Sequence, residues 1–214
     1  MYDELKMHGV TENTPKNIML GAGTIHKGFK FDKETKTWNF AESLIGATSG
    51  GNKLSIVPNI TTVEVDGALV KVKGLDFKQG EVAKLETNLI EITPDLIKNT
   101  VIGQLVESDI DGYDLIESKS DIEDGDYFEN LAFVGKKTDG TPIIVILDNA
   151  LCTTGFEGEG KNKEATVIKC TFECYAEHTE DLTKLPYHIY YPSAQAAVAQ
   201  VNDTADDGDE AAQG

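Results

Sequence analysis

The segment TTVEVDGALVKVKG, residues 61–74, alternates apolar and polar side chains on both sides of an Asp-Gly pair. A two-residue turn at Asp66-Gly67 would pair Val63 with Val70 and give the resulting hairpin one apolar face. Such alternation is typical of an antiparallel sheet with one face on a core and the other toward water or a partner. Because the segment carries no constellation of reactive groups, we expect it to serve as scaffold or surface.

Further strand patterns cover much of the chain, whereas helix patterns are rare. The run TPIIVIL is continuously apolar, which predicts a strand buried on both faces. A short helix is predicted from Thr93 as N-cap, with Pro94 at its first position, to Gly103. The predicted strands lie at 16–31 (interrupted at Gly21 and Gly23), 53–66, 68–77, 81–92, 127–137, 141–150 and 165–178.

This order of elements predicts a mainly β fold, a β-sandwich or barrel-like domain with one flanking α-helix and long loop arms. With 214 residues, of which 40% are hydrophobic, the chain can bury one sizeable core. We predict a β domain over 1–192, with an N-terminal arm at 1–15 and a long loop at 32–52. The remainder, 193–214, is acidic and poor in apolar residues, so we expect it to be flexible.

The net charge of −18 argues against several classes of function. Residues 1–100 hold 12 lysines and 13 acidic residues, whereas residues 101–214 hold 7 lysines and 24 acidic residues. The chain has no arginine, so it lacks the bidentate fork that recognises phosphate. An acidic surface disfavours binding to nucleic acid or to anionic membranes. The N-terminus has no apolar signal-peptide core, so we expect synthesis in a cytoplasm.

Motifs for catalysis, cofactors and metals are weak throughout, and we predict neither an enzyme nor a cofactor. Cys170 and Cys174 fall on the apolar face of a predicted strand, which indicates buried thiols. Cys152 is predicted to lie in a loop or at a strand end. The four histidines have no metal-ligand spacing, and DIEDGDYFE (121–129) lacks the ligand spacing of a calcium loop.

The segment 32–52 is long, polar and rich in glycine, and it holds Trp38, the only tryptophan. Loops of this length in compact domains are usually functional or disordered. Trp38 could pack back onto the core, or it could belong to a docking arm, since tryptophan is enriched at interface hot spots.

The amino-acid sequence resembles those of the major tail (tail tube) proteins of long-tailed phages and prophages of Gram-positive bacteria. The resemblance is carried by NIMLGAGTIHKGF, by the block from Gly46 to Gly103, and by YFENLAFVGKKTDGTPIIVILDNALCTTGFE. It runs from about residue 16 to about residue 177.

The resemblance implies a tail-tube fold, six copies of which close into a ring, and rings that stack into a hollow tube for DNA ejection. Its implied partners are further copies of the chain and the tape-measure and tail-terminator proteins. DNA would pass through without specific binding, and the implied location is the virion tail. The segment 32–52 becomes the candidate inter-ring arm, with Lys36, Trp38, Phe40 and Asn52 as candidate contacts.

Such a tube needs a channel wall that does not hold DNA, and acidic side chains would repel the duplex. By strand alternation, the candidates opposite the apolar faces are Glu64, Glu86 and Glu173, which we expect on three different strands.

The alternative from another class is a monomeric β-sandwich binding module, such as an adhesin or carbohydrate binder. In that case Trp38, Tyr113 and Tyr127 would be the stacking residues. An enzyme that uses two of the many carboxylates is a third hypothesis, although no pair stands out.

Overall fold

The structure is a computed structural model that describes residues 8–179 and 181–193. The predicted flexible segment 193–214 lies outside the described residues except for Ser193, as do the first seven residues of the predicted N-terminal arm.

The fold is mainly β, as predicted, with 44% of the described residues in strands and 8% in helices. The strands are β1 (Met19–His26), β2 (Phe31–Asp32), β3 (Thr37–Trp38), β4 (Lys53–Thr62), β5 (Asp76–Leu89), β6 (Gly103–Val106), β7 (Leu115–Ser118), β8 (Phe128–Lys137), β9 (Pro142–Cys152), β10 (Gly158–Glu159), β11 (Val167–Cys174) and β12 (Tyr187–Tyr190). The helices are α1 (Thr14–Asn17), α2 (Pro94–Thr100) and a single 3₁₀ turn (Asp124–Asp126).

One large antiparallel sheet, in the order β1-β8-β9-β11-β5-β4, dominates the structure. The edge of β9 that faces away from β8 is shared, because β12 pairs with it near Leu147 and β11 pairs with it near Cys152. Ile25 of β1 and Leu85 of β5, from distant strands of this order, belong to the same core cluster. The sheet must therefore curve strongly around its own core, instead of stacking as two separate large sheets.

The main core is formed by alternate side chains of the strands, which point to the same side of the sheet. Ile168, Cys170, Phe172 and Cys174 of β11 are all buried, which confirms the predicted inward face of this strand. The Phe172 ring packs edge-on against Phe128, with centroids 4.8 Å apart. Alternate residues of β5 from Ala83 to Leu89 point to the same core.

The strands β8 and β9 are buried on both faces. Ile144, Val145, Ile146 and Leu147 are all buried, which confirms the prediction from the continuous apolar run. Leu147 faces the main core, whereas Ile144 and Ile146 face a second cluster with Phe29, Ala132, Val134 and the half-buried Trp38.

The first strand, β1, is interrupted at its two glycines, as predicted. The register of β1 against β8 shifts between Leu20 and Thr24, and Gly21 and Gly23 have positive φ angles of 86° and 71°. A Cβ on Gly23 would lie 2.5 Å from the Phe133 ring, so this position needs glycine for space as well as for conformation.

The hairpin predicted at 61–74 is wrong in detail. The β4–β5 ladder ends at the pair Thr62 and Asp76, so residues 63–75 form a connecting loop and the predicted strand at 68–77 is mostly absent. Asp66-Gly67 still forms a local turn, in which Ala68 N donates to Val65 O. A two-stranded ribbon with no layer to pack on is marginally stable, and nothing in the described chain covers either face here.

The predicted helix forms as α2. Thr93 is its N-cap, and its Oγ1 accepts a hydrogen bond from Leu96 N at 3.3 Å. The helix ends at Thr100, and the residue expected to end it, Gly103, instead begins β6. Leu96 anchors the helix to the main core.

A buried ion pair fixes the acidic region before β8. The Lys119 ammonium contacts Asp126 Oδ2 at 2.7 Å and Glu123 Oε2 at 2.8 Å, and Asp126 is only 2% exposed. Burial acts to raise the pKa of Asp126, but the Glu123 backbone N–H and the Lys119 ammonium outweigh it and hold this pKa below its ordinary value.

We predict that Lys119→Met lowers the free energy of unfolding, because it leaves the buried Asp126 carboxylate without its cation. Urea unfolding at pH 7 measures this change. The double variant Lys119→Met/Asp126→Asn should regain part of the loss, since no buried charge remains without a partner and the Glu123 carboxylate is exposed to water. A double variant less stable than Lys119→Met alone would contradict this explanation.

Candidate assembly surface

Residues 63–75, hereafter the tip loop, expose most of their apolar side chains. Leu69 is 98% exposed and Val70 is 78% exposed, and Val63, Val65 and Val72 are exposed as well. Clustered exposed apolar residues on a charged protein mark an interaction site more often than an accident of sequence. The tip loop is therefore the strongest candidate for a contact with another molecule.

Exposed apolar surface continues from the tip loop along the hairpin. Ile60 and Phe77 lie beside its base, and Val57 of β4 pairs with Val82 of β5 farther along. The last pair borders a shallow depression with Pro58 and Lys84. The candidate surface thus covers the outer half of β4–β5 as well as the loop.

The strand β4 also ends the order of the large sheet, so one of its edges has no strand partner among the described residues. An open edge presents backbone N–H and C=O groups that can pair with another chain. Pro58 lies on this edge strand and lacks an N–H, which limits how far a continuous ladder could extend.

The outward face of β4, β5 and β11 carries two cross-strand ion pairs. Lys53 Nζ lies 2.6 Å from Glu86 Oε1, and Lys84 Nζ lies 2.9 Å from Glu173 Oε2. Glu86 and Glu173 share this face, as strand alternation predicted. Both carboxylates are paired, so the face is nearly neutral and not acidic.

Glu64 was expected on a third strand of that face, and this expectation is wrong. It lies in the tip loop, because the ladder ends at Thr62. The three glutamates are therefore not presented on a common strand surface.

The aromatic residues of the segment 32–52 pack on the subunit itself. Trp38 stacks on Phe29 with centroids 4.9 Å apart and an interplanar angle of 6°, and it meets Tyr190 edge-on at 5.1 Å. Phe40 also contacts Phe29, at 5.3 Å. Of the two interpretations open for Trp38, this packing favours attachment to the core.

The other two arm candidates have different surroundings. Lys36 has a φ of 56° at the turn between β2 and β3 and is exposed. Asn52 bridges two strands, since its Nδ2 donates to Ala22 O at 2.9 Å and its Oδ1 accepts from Thr87 Oγ1 at 2.6 Å. Asn52 thus stabilises the base of the segment, and whether Lys36, Trp38 and Phe40 contact another ring stays a prediction.

The buried His26 of β1 connects this strand to the middle of the segment 32–52. His26 is 2% exposed, and its two ring nitrogens lie 2.8 Å from Thr24 Oγ1 and 2.9 Å from Ser43 Oγ. Burial lowers the pKa of His26 below its ordinary value of 6.5, although a hydrogen bond with the Phe40 backbone opposes the shift.

The cysteines and the acidic segment 121–129 were the remaining candidates for a reactive or metal-binding site. Cys152 ends β9, and all three cysteines are buried. In the part of the chain that the structure describes, no three His, Cys, Asp or Glu side chains are placed to hold a metal ion. In the acidic segment 121–129, Glu123 and Asp126 bind Lys119.

The three stacking residues of the rival hypothesis do not form one aromatic group. Trp38 belongs to the cluster around Phe29, whereas the Tyr127 ring contacts Tyr175 at 5.9 Å. Tyr113 is exposed between β6 and β7.

Comparison with known proteins finds no family model and no curated protein that matches this chain. No helix within residues 8–179 and 181–193 is long and apolar enough to cross a membrane.

Sequence reasoning missed two features of these surfaces. It interpreted the tip loop as paired strands, because alternation looks the same whether or not a second layer covers it. It also missed a cavity beside α2, which Lys27 of the β1–β2 connection and Asn99 help to line. No local sequence signal marks either residue.

We predict that the stability of the subunit depends on pH through His26. Because the folded pKa lies below 6.5, the unfolded chain binds the proton first as the pH falls. The contribution of His26 is therefore fully present above about pH 6.5 and is lost as the pH decreases toward the folded pKa. Urea unfolding of the wild type and of His26→Gln between pH 7.5 and pH 5 should show a steeper decline for the wild type. Parallel declines would contradict the assignment.

Proposed function

We propose that this protein is the subunit of a phage tail tube, in which six copies form a ring and rings stack into a channel for DNA ejection. The proposal rests on the resemblance in sequence and on one structural observation, the exposed apolar tip loop. It requires no catalysis, since the task of such a subunit is to assemble and to enclose a path.

The tip loop is the main structural support for the proposal, because its apolar side chains are exposed on an otherwise highly charged protein. A chain with a net charge of −18 is well suited to staying soluble as a single molecule, yet it exposes Leu69 almost completely. Keeping such side chains in water forgoes about 25 cal/mol for each Å² of apolar surface that could be buried. Contact with a second copy recovers that free energy, and repetition of the contact produces a stack.

The open edge of β4 supports the proposed ring, because it is a second surface that assembly would cover. In a closed ring, the open edge of β4 would lie beside a strand of the neighbouring subunit, so that assembly covers it. Lateral contacts through sheet edges and axial contacts through the tip loop use different parts of the subunit, which is what a stacked ring requires.

The outward face of β4, β5 and β11 is the candidate channel wall. Its charges are paired as Lys53 with Glu86 and Lys84 with Glu173, so it offers no continuous cationic track to a duplex. DNA binding scales with the number of phosphates that cations neutralise. On this proposal, DNA slides because the wall has little net attraction for it, and strong acidic repulsion is not needed.

The partners and the location follow from the proposed role. The subunit would assemble with copies of itself, a tape-measure protein and a tail-terminator protein, after synthesis in the cytoplasm of a bacterial host. The finished protein would be part of the virion tail.

The alternative, a monomeric adhesin or carbohydrate-binding module, requires its aromatic residues to form one binding surface. It needs a shared stacking surface of Trp38, Tyr113 and Tyr127, whereas Trp38 and Tyr127 contact different aromatic partners. It also provides no reason for an uncovered apolar tip loop. We therefore favour the assembling subunit.

We predict that the double variant Leu69→Asp/Val70→Asp folds normally and fails to stack. Both side chains are exposed, so the free energy of unfolding should change by less than about 0.5 kcal/mol. Two carboxylates in an apolar contact should prevent tube formation. Analytical ultracentrifugation over a range of concentrations, with electron microscopy of the largest species, measures the result.

The matched control is Ile110→Asp/Leu182→Asp, which places the same two charges on exposed apolar residues of other loops. It should assemble like the wild type. A wild-type protein that remains monomeric at high concentration, or a tip-loop variant that forms normal tubes, would refute the proposed function.

A further inference from the structure

Asp-Gly dipeptides are the sequences in which an aspartate side chain cyclises most readily onto its own backbone. Glycine has no side chain to hinder attack by its nitrogen, and the reaction is intramolecular. The corresponding amide sequence, Asn-Gly, does not occur in this chain. The structure holds the reacting groups of its Asp-Gly pairs in different ways. Four such pairs lie within the described residues, at 66–67, 111–112, 124–125 and 139–140.

The pair in the tip loop leaves both reacting groups free. Asp66 and Gly67 are the central residues of the turn in which Ala68 N donates to Val65 O at 3.0 Å. That hydrogen bond does not use the Gly67 N–H, which donates to no described residue. The exposed Asp66 carboxylate likewise has no partner among the described residues. A Cβ on Gly67 would meet no atom within 4 Å, so the space around its nitrogen is open.

The pair between β6 and β7 has the same arrangement. Tyr113 N donates to Ile110 O at 3.2 Å, so Asp111 and Gly112 are again the central residues of a turn. The φ angle of Gly112 is 82°, against 83° for Gly67. The Gly112 N–H donates to no described residue, and the exposed Asp111 carboxylate has no described partner. This turn is therefore a second open site, on a loop remote in sequence from the first.

The pair between β8 and β9 is held by hydrogen bonds at both reacting groups. The Asp139 carboxylate accepts from Lys137 Nζ at 2.8 Å and from Thr141 Oγ1 at 2.6 Å. Gly140 N donates to Lys137 O at 2.9 Å, so an attack by this nitrogen would break a hydrogen bond. The contacts with Lys137 and Thr141 also hold the pKa of Asp139 below its ordinary value. An ionised carboxylate does not readily lose an oxygen as water, so this pair is protected.

The fourth pair lies in the 3₁₀ turn before β8. Tyr127 N donates to Asp124 O at 3.2 Å, and the next residue after Gly125 is the buried Asp126. Asp126 N donates to Glu123 O at 2.9 Å. Ring closure has to rotate the chain at Asp124 and would disturb both hydrogen bonds. We expect this pair to react more slowly than the two open turns.

We propose that Asp66-Gly67 and Asp111-Gly112 are sites of spontaneous isoaspartate formation in the folded subunit, and that the fold protects Asp139-Gly140. In the first step the glycine nitrogen bonds to the aspartate Cγ, the carboxyl OH leaves with the amide hydrogen as water, and a succinimide ring forms. Water then opens the ring. Opening at the main-chain carbonyl leaves the backbone running through the side-chain carbon, which is isoaspartate, and opening at the other carbonyl restores aspartate. The two steps consume and release one water each, and they need no oxidant or cofactor.

One consequence of this inference rests on the proposed function. Isoaspartate adds one carbon atom to the main chain in the middle of the tip loop, close to the exposed Leu69. If rings stack through the tip loop, the contact immobilises the turn, and modification of Asp66 should be slower in tubes than in the free subunit. Equal rates in tubes and free subunit would count against the tip-loop contact and leave the modification sites standing.

The test is incubation of the free, folded subunit at pH 7 below its melting temperature, followed by cleavage after lysine. Mass spectrometry detects the succinimide by its loss of one water, and an isoaspartyl methyltransferase labels the isoaspartate. Peptides 54–71 and 99–119 should gain several-fold more isoaspartate than 138–161. In urea this difference should disappear, because it comes from the fold. The four pairs fall on four different peptides, 54–71, 99–119, 120–136 and 138–161.

Asp66→Glu is the matched control, since it keeps the charge of the turn but would have to form a six-membered ring, which closes far more slowly. It should abolish the signal in peptide 54–71 and leave that in 99–119 unchanged. Isoaspartate that accumulates in 138–161 as fast as in 54–71, or that is absent from either open turn of the folded subunit, would overturn the inference. A subunit that forms no tubes would refute the proposed function without affecting this result, because the modification is measured on the free subunit.

Discussion

The burial of β8 and β9 on both faces is the constraint on which the rest of the structure depends. One face of this pair closes the main core with β5 and β11, and the other carries the second cluster around Phe29. Because a sheet buried on both sides needs cover on both sides, the large sheet curves around one face and the segment after β1 folds over the other. Trp38 and the buried His26 attach that segment, and this attachment accounts for the order of a region that is otherwise polar and rich in glycine.

The exposed apolar residues of the tip loop lie away from this doubly covered pair. The tip loop extends past the end of the β4–β5 ladder, where no described residue forms a second layer, and its apolar side chains are exposed. Beside α2, the buried Asn99 Oδ1 accepts no hydrogen bond from the described residues. The exposed apolar residues of the tip loop are therefore the feature of the surface that the proposed assembly would explain.

The ion pairs on the outward face of β4, β5 and β11 change the explanation proposed for how DNA would slide through the channel. An acidic lining was expected to repel DNA, and Glu86 and Glu173 do face outward together. Each is paired across strands with a lysine, so the dominant property of this face is charge compensation. Surface ion pairs of this kind contribute little to stability, and their importance here is that they cancel the local field that a nearby polyanion would experience.

The sequence alone determined the features that depend on local pattern. The continuous apolar run in β9, the inward face of β11, the glycine interruption of β1 and the start of α2 at Thr93 were all predicted, because periodicity and capping are properties of neighbouring residues. Only the tertiary structure decided what lies opposite each pattern. The same alternation is a paired strand in β5 and an exposed loop at Val70, because one has a core to cover and the other has none. Glu86 pairs with a lysine from another strand, Asn99 Oδ1 accepts no hydrogen bond from a described residue, and Trp38 stacks on Phe29. These contacts join residues separated along the chain, so the fold had to place them.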